Sequence, residues 1–274
     1  IFPGSGQAFW AKGGRLRDRD LTLLEDAARA AGEIAHRFWR KSPEVWDKGD
    51  GAGPVSEADY AVNRMLEAEL RGARPDYGWL SEESPDGPAR LATERQFILD
   101  PIDGTRAFLD GDTSFAHSLA VAEAGKIAAA VVYLPMREAL YAASSDGPAR
   151  LNGEVLEVSR PSEIASATVL TSKVTLAPEH WKGGAVPGFR REFRASLAWR
   201  LALVAEGRFD AMMTLRPTWE WDVAAGSLIA ERADARVTDR QGVALSFNAP
   251  DPRVRGVVAA GTALHGAILS ALAP

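Results

Sequence analysis

The segment at residues 98–111 constrains the fold and function of this chain more than any other stretch. It reads ILDPIDGTRAFLDG and opens with apolar residues typical of a buried strand. Asp100 and Asp103 follow with a proline between them, and Gly104 and Thr105 come directly after. Asp, Pro and Gly are common in surface turns, but strand ends are also where many sites in sheet proteins are built. The segment therefore predicts either a turn or the edge of a functional site.

Two further segments end in carboxylates. Glu82 and Glu83 follow an apolar run, and Asp222 follows the sequence TWEW. Taken singly, the glutamates are typical of solvated turns, and Asp222 is typical of a helix start stabilised by the helix dipole. Together the acidic ends favour one site, because hard divalent cations such as magnesium take oxygen ligands from a few carboxylates. Gly104 and Thr105 then have a role, because a helix that begins there offers backbone N–H groups to a phosphate.

The composition argues against several other kinds of site. Of 274 residues, 46% are hydrophobic and 25% are charged, as in an ordinary globular protein with a sizeable core. The formal charge of -5 gives no reason to expect a nucleic-acid partner. The absence of cysteine removes disulfides and cysteine nucleophiles and is typical of a cytoplasmic protein. No apolar run reaches the length of a membrane span. The four histidines have no ligand spacing, so we interpret them as core or surface residues.

The hydrophobic pattern predicts mixed helices and strands in two lobes. Turn-forming residues at 144–153 mark the boundary, which gives an N-terminal tail (residues 1–17), an N-terminal lobe (18–148) and a C-terminal lobe (149–274). Residues 114–144 contain three apolar runs and predict an antiparallel meander. The predicted helices cover residues 21–39, 56–70, 196–207, 218–235 and 262–273. The second has a capping-type start, in which Asp59 follows Ser56 by three residues. The other predicted strands cover residues 77–80, 95–100, 208–215 and 254–260.

Three segments resemble, in the same order, the signature segments of the inositol monophosphatase-like superfamily of metal-dependent, lithium-sensitive phosphatases. They are GWLSEES, LDPIDGTRAF and WEWDVAAG, and the likeness extends from the first predicted helix to the last. It implies an α+β fold, the layered α/β/α/β/α sandwich of that superfamily, and a site with two or three magnesium ions. The implied metal ligands are Glu82, Asp100, the carbonyl of Ile102, Asp103 and Asp222. Gly104 and Thr105 are implied to hold phosphate beside Asp103 and Asp222, and Glu82 and Thr105 to be catalytic.

The resemblance also implies an acid that partners Thr105 and helps it to activate the attacking water. In the family, this aspartate is expected in the loop just before a PVT segment. Here the segment reads PVS, with Ser56 in place of threonine, and the nearest aspartate in the loop is Asp50. Asp50 is therefore the predicted partner of Thr105, and Glu82, acting through the metal, is the alternative.

Within the superfamily, the residues favour the bacterial 3′(2′),5′-bisphosphate nucleotidases of the CysQ type. The segments RPTWEWDVAAG, GPVSEAD and ALVAEG resemble that group. Inositol monophosphatases carry a glutamate seven residues before the aspartate of their WD pair; here that position is Leu215, which accepts no hydrogen bond from a polyol. Arg200 lies where related nucleotidases carry a basic residue. We interpret it either as a contact for a second phosphate or as a solvated helix charge.

The resemblance and the residues together lead us to expect an enzyme that acts on a small phosphorylated metabolite. The expected reaction is magnesium-dependent removal of the 3′-phosphate of adenosine 3′,5′-bisphosphate by direct attack of water. Inositol 1-phosphate, histidinol phosphate or another sugar or polyol phosphate is the alternative substrate. A non-catalytic protein that senses metal or phosphate is the alternative class. The oligomeric state is left open, with a homodimer among the options.

Overall fold

A computed structural model describes residues 7–49 and 53–274, with side chains in the first helix described from Leu16 onward. These ranges contain six α-helices: α1 (Gln7–Phe38), α2 (Glu57–Ala73), α3 (Thr105–Leu109), α4 (Leu197–Ala205), α5 (Glu220–Arg232) and α6 (Thr262–Ala271). The strands are β1 (Val45–Asp47), β2 (Pro54–Ser56), β3 (Gly78–Ser81), β4 (Arg95–Asp103), β5 (Ala116–Glu123), β6 (Lys126–Leu134), β7 (Ala139–Ser144), β8 (Arg150–Leu151), β9 (Glu154–Val155), β10 (Thr168–Leu170), β11 (Arg190–Glu192), β12 (Ala211–Thr214), β13 (Thr218–Trp219), β14 (Ala235–Thr238), β15 (Arg253–Val254) and β16 (Val257–Gly261).

Two sheets form the β layers of the described chain. The large sheet has seven strands in the order β3-β4-β5-β6-β7-β8-β9, and the small sheet has five in the order β11-β10-β12-β16-β14. β3 and β4 are parallel, whereas the large sheet is antiparallel from β4 onward. The meander predicted at residues 114–144 is confirmed, because β5, β6 and β7 pair in sequence order.

Alternating side chains bury both faces of each sheet. In β4, Phe97 and Leu99 face a core shared with α1 and α2, whereas Ile98 faces a core shared with α4 and α5. In β12, Met212 faces the α4/α5 core and Met213 faces a third core shared with α6. The layers therefore run α1/α2, large sheet, α4/α5, small sheet, α6. This order confirms the predicted α+β layered sandwich.

Of the first two helices, α2 begins where the sequence predicts and α1 begins earlier. α2 starts as predicted: Ser56 is its N-cap residue, and the Asp59 carboxylate accepts a hydrogen bond from the Ser56 backbone N–H at 2.8 Å. α1 begins at Gln7, well before residue 21, so the predicted tail is helical from Gln7 on. The charged sequence RLRDRD suits a solvent-facing helix, and Arg17 forms an ion pair with Glu123.

The large sheet extends past residue 148, where the sequence predicts the boundary between lobes. β8 and β9 lie beyond that point and still pair with this sheet. α4 and α5, which belong to the predicted C-terminal lobe, share a core with it. The division into two lobes stays a prediction. None of the described helices is both long and apolar enough to cross a membrane.

Candidate active site

Three carboxylates meet at one edge of the large sheet. β3 and β4 run parallel with Ser81 opposite Leu99, so Glu82 and Asp100, the residues that follow this pair, lie side by side near the carboxyl ends of the two strands. Asp222 comes from the first turn of α5, which packs over β4 and β5. One oxygen of each carboxylate lies within 4.8 Å of the others. We call Glu82, Asp100 and Asp222 the three-acid group.

Negative charge accumulates in the three-acid group. Burial, with the charges of Glu82, Asp103 and Asp222, raises the pKa of Asp100 well above its usual 3.8. Removal from solvent, with the charges of Asp103 and Glu82, likewise raises the pKa of Asp222. Carboxylates held this close do not all stay ionised unless a cation compensates them. A hard divalent cation such as magnesium fits this donor set, because every side chain in it offers carboxylate oxygens.

Lys48, which directly follows β1, supplies one positive charge beside the three-acid group. Its Nζ donates to Glu82 Oε1 at 2.7 Å and to Glu83 Oε1 at 2.6 Å. The Glu83 side chain is only 3% exposed, and burial raises the pKa of Glu83 to about 7. Neither glutamate is therefore a solvated turn charge. Sequence reasoning missed Lys48, because its contact with Glu82 spans 34 residues of chain.

The turn formed by Asp100, Pro101, Ile102 and Asp103 is stabilised from within. Asp100 Oδ1 accepts a hydrogen bond from the Ile102 backbone N–H at 2.9 Å, and Thr105 Oγ1 lies 3.2 Å from the Ile102 carbonyl oxygen. Gly104 follows with a φ of 103°, a left-handed conformation that favours glycine. The Ile102 carbonyl, a predicted metal ligand, thus lies beside the hydroxyl of Thr105, a predicted phosphate-binding residue.

Asp103 lies outside the three-acid group and is bound to the start of α4. Its Oδ2 accepts hydrogen bonds from Ser196 Oγ and from the Ala198 backbone N–H, both at 2.7 Å. Burial raises the pKa of Asp103 to about 6, while these hydrogen bonds act in the opposite direction. Oδ2 is therefore committed to α4, and Oδ1 is the atom through which Asp103 can serve as the predicted metal ligand.

The described acid that partners Thr105 is Asp59. Thr105 Oγ1 donates to Asp59 Oδ1 at 3.1 Å, while the other oxygen of Asp59 accepts from the Ser56 hydroxyl at 2.6 Å. Asp59 is 1% exposed, and burial raises its pKa. Asp50, the partner predicted from the sequence, lies outside the described residues, so that assignment stays a prediction. The sequence predicts Asp59 only as a helix-capping acid. The capping contact uses one carboxylate oxygen, and the second oxygen was the signal that Asp59 can bind another group.

Arg200 and Leu215, the two residues predicted to bear on substrate choice, are both buried. Arg200 is 6% exposed, its Nε donates to the Arg194 carbonyl at 2.6 Å, and its guanidinium lies 4.3 Å from the centre of the Phe193 ring. The interpretation of Arg200 as a solvated helix charge is therefore wrong. Burial lowers the pKa of Arg200 to about 10, and the charge of Asp103 opposes that shift. Leu215 packs in the core between the small sheet and α6, so its side chain does not line a polar site.

Comparison with known proteins agrees with the geometry. Residues 17–273 match the inositol monophosphatase family. An inositol-1-monophosphatase of Rhizobium meliloti is 39% identical over 233 residues, which cover 81% of this chain and 86% of that protein. The 3′(2′),5′-bisphosphate nucleotidase CysQ of Escherichia coli is 30% identical over 223 residues, with 80% of this chain and 90% of CysQ covered. The crystal structure of the extragenic suppressor protein SuhB from Bartonella henselae has a TM-score of 0.81 at 28% identity and covers 92% of this chain and 97% of SuhB.

Proposed function

This chain belongs to the inositol monophosphatase family of phosphoric monoester hydrolases, and we propose that it uses magnesium to hydrolyse adenosine 3′,5′-bisphosphate to AMP and phosphate. The observation that carries the proposed chemistry is the three-acid group beside the Thr105–Asp59 pair. The three-acid group supplies ligands for a cation, and the Thr105–Asp59 pair supplies a hydroxyl that is hydrogen-bonded to an acid.

Glu82, Asp100 and Asp222 would hold the magnesium, and the Ile102 carbonyl and Asp103 Oδ1 are the further ligands proposed. When bound, magnesium supplies positive charge that polarises the phosphate and eases the ionisation of water. Lys48 keeps Glu82 oriented through its 2.7 Å hydrogen bond, and the ammonium adds a second positive charge beside the site. The observation that supports a cation here is the close approach of the three carboxylates, whose nearest oxygens lie within 4.8 Å of one another.

Thr105 and Asp59 orient the attacking water. The Thr105 hydroxyl donates to Asp59 Oδ1, which leaves the lone pairs of Oγ1 to accept a hydrogen from that water. Burial raises the pKa of Asp59, so its carboxylate can take up a proton relayed through the hydroxyl. The water oxygen forms the new bond to phosphorus as the ester P–O bond breaks. The 3′-oxygen then leaves with a proton from solvent.

Arg200 supports a bisphosphate as the substrate. Burial lowers the pKa of Arg200, and the charges of Asp103 and Asp222 oppose that shift, so its guanidinium lies in the electrostatic neighbourhood of the proposed site. The Nε and one terminal nitrogen of Arg200 donate to backbone carbonyls, and Nη1 makes no hydrogen bond to the part of the chain that is described. A guanidinium fixed in this way is suited to a second phosphate, which inositol 1-phosphate lacks.

Inositol 1-phosphate is the second candidate substrate, and two observations favour it. The relative from Rhizobium meliloti, at 39% identity, is named as an inositol-1-monophosphatase. In addition, Leu215 faces an apolar core, so its replacement of a glutamate does not by itself remove a polyol contact from the site. The argument from Leu215 against a polyol therefore loses its force.

The test is phosphate release by the purified chain with magnesium, comparing adenosine 3′,5′-bisphosphate, inositol 1-phosphate and histidinol phosphate at equal concentrations. We expect the largest kcat/KM for the nucleotide, inhibition by lithium, and no release after chelation of the metal. A larger kcat/KM for inositol 1-phosphate would replace the proposed substrate and leave the site chemistry intact. Tight phosphate binding without release of phosphate from any substrate would instead favour the non-catalytic sensor.

A further inference from the structure

The ladder between β4 and β5 is interrupted at the acidic turn. Asp100 pairs with Ser118 and Asp103 pairs with Ala116, so two residues of β4 lie opposite His117 alone. This arrangement is a β-bulge, which inserts one extra residue and re-aims the side chains around it. Without the bulge, residues three apart on a strand would point to opposite faces of the sheet.

The bulge puts both aspartates on the same face. Their partners, Ser118 and Ala116, are two apart on β5, and paired residues share a face. On that face Ala116 packs in the α4/α5 core, and Ser118 Oγ donates to the Trp221 carbonyl at the start of α5 at 2.9 Å. The bulge is therefore what brings Asp100 and Asp103 together on the side that carries Asp222.

His117 faces the other way, into the layer of α1 and α2. Its neighbours on that face, Phe115 and Leu119, belong to the α1/α2 core, and its ring packs edge-on to Phe115 and tilted against Tyr133. Its Nδ1 forms a hydrogen bond with the carbonyl oxygen of Pro101, inside the bulge. The Pro101 carbonyl thus points toward His117, while the next carbonyl, that of Ile102, points toward Thr105.

A buried histidine with an unsatisfied nitrogen destabilises the folded protein unless its other hydrogen bond compensates. The residue is fully buried, and its Nε2 has no hydrogen-bond partner among the described residues. An apolar side chain of similar size would avoid that unsatisfied nitrogen but would leave the buried Pro101 carbonyl without its donor. Burial lowers the pKa of His117 to about 4, so near neutral pH the ring is uncharged and donates through Nδ1.

We propose that His117 is a positioning residue for the metal site: by binding the Pro101 carbonyl it holds the bulge in the form that turns Asp100, Asp103 and the Ile102 carbonyl toward the cation. The proposal rests on the proposed magnesium-dependent function. His117 touches neither substrate nor metal; it acts from the opposite face of the sheet, through one backbone carbonyl. Groups that orient ligands in this indirect way commonly affect metal affinity.

The test compares side chains of matched shape that differ in the donor. His117→Leu lacks the N–H and His117→Asn retains one, and His117→Met with His117→Gln form a second pair of the same design. His265→Leu is the control for loss of a buried histidine. His265 also has a pKa lowered to about 4, and its Nε2 bonds the Thr238 hydroxyl at 2.9 Å, but it lies on α6, away from the acidic turn.

The primary measurement is the dissociation constant for magnesium by calorimetry, with the magnesium-induced rise in Tm as a second measurement. We expect His117→Leu to weaken magnesium binding by about tenfold or more. His117→Asn should recover most of that loss, and His265→Leu should keep wild-type affinity even if its Tm falls. In kinetics, the magnesium concentration for half-maximal rate should rise in His117→Leu more than kcat falls at saturating magnesium.

Three outcomes would overturn the proposal. If folded His117→Leu bound magnesium as tightly as the wild type, His117 would be only a packing residue and the proposed function would be untouched. If His117→Leu did not fold, equal affinities in the Met and Gln variants would likewise reduce His117 to a packing residue. If the wild type itself bound no magnesium, the proposed cofactor would fail, and the positioning role would fail with it.

Discussion

Asp100 and Asp103 are three residues apart, are both buried and project from the same face of the sheet, yet their surroundings are opposite. Asp100 faces two other carboxylates within 4.8 Å, and its pKa is raised well above the usual value. Asp103 faces the N-terminal end of α4, where a hydroxyl and a backbone N–H donate to it at 2.7 Å. One acid lies among like charges, and the other lies among donors.

The difference separates two tasks within one motif. An acid among like charges destabilises the protein until a cation binds, so Asp100 is suited to function rather than to folding. An acid bound by donors stabilises the contact it makes, so Asp103 joins the large sheet to α4 whether or not a metal is present. Substitutions at the two positions should therefore change different quantities.

Asp100→Asn should have the largest effect on activity. Losing one carboxylate from the three-acid group removes a ligand and the charge that attracts the cation, so kcat/KM should fall on the order of a thousandfold. The same change relieves repulsion in the metal-free protein, so Tm without magnesium should rise. The measurements are phosphate release at saturating magnesium and a thermal melt in chelator. If Asp100→Asn kept near-normal activity and an unchanged Tm, Asp100 would not have the functional task that distinguishes it from Asp103.

Thr105→Ala should have the next largest effect, a fall in kcat of about a hundredfold with magnesium affinity preserved. The hydroxyl donates to Asp59 Oδ1 and is not itself a proposed metal ligand, so its loss should act mainly on the water. Thr105→Ser keeps the hydroxyl and should retain most of the activity. Asp59→Asn should resemble Thr105→Ala if the pair acts as a unit. An Asp59→Asn enzyme with full activity would return the role of partner to Asp50.

Asp103→Ala should lower the free energy of unfolding of the metal-free protein by about 3 kcal/mol, because it leaves the Ser196 hydroxyl and the Ala198 N–H unsatisfied. Loss of Oδ1, a proposed ligand, should in addition weaken magnesium binding. Ser196→Ala removes one of the two donors and the N-cap bond to Trp199, and should cost about 1 to 2 kcal/mol. Urea unfolding without magnesium measures both. If Asp103→Ala were as stable as the wild type, Asp103 would have only the functional task, and the two acids would no longer differ in kind.

The sequence predicted local features well and missed contacts between distant segments. The acidic strand ends, the capped start of α2 and the meander are all patterns that neighbouring residues make by themselves. Asp59 was assigned a capping role from such a pattern, but its bond to Thr105 spans 46 residues and depends on how α2 packs beside α3. Lys48 and His117 were missed for the same reason. The burial of Arg200 also follows from tertiary packing, which places every residue of α4 in the interior and which the local sequence does not specify.

The smallest expected effect is a pH dependence of stability in the metal-free protein. It tests whether Asp100 lies among like charges, and it requires no measurement of activity. The raised pKa values of Asp100 and Asp222 mean that the folded state holds protons which the unfolded state has already released. That stabilisation is fully present below the usual pKa of 3.8 and is lost as pH rises through the raised values.

Thermal melts in chelator should therefore show a declining contribution to Tm above about pH 4 in the wild type. Asp100→Asn should reduce this decline, and saturating magnesium should reduce it as well. A wild-type slope that magnesium did not alter would mean that these carboxylates are not where the cation binds.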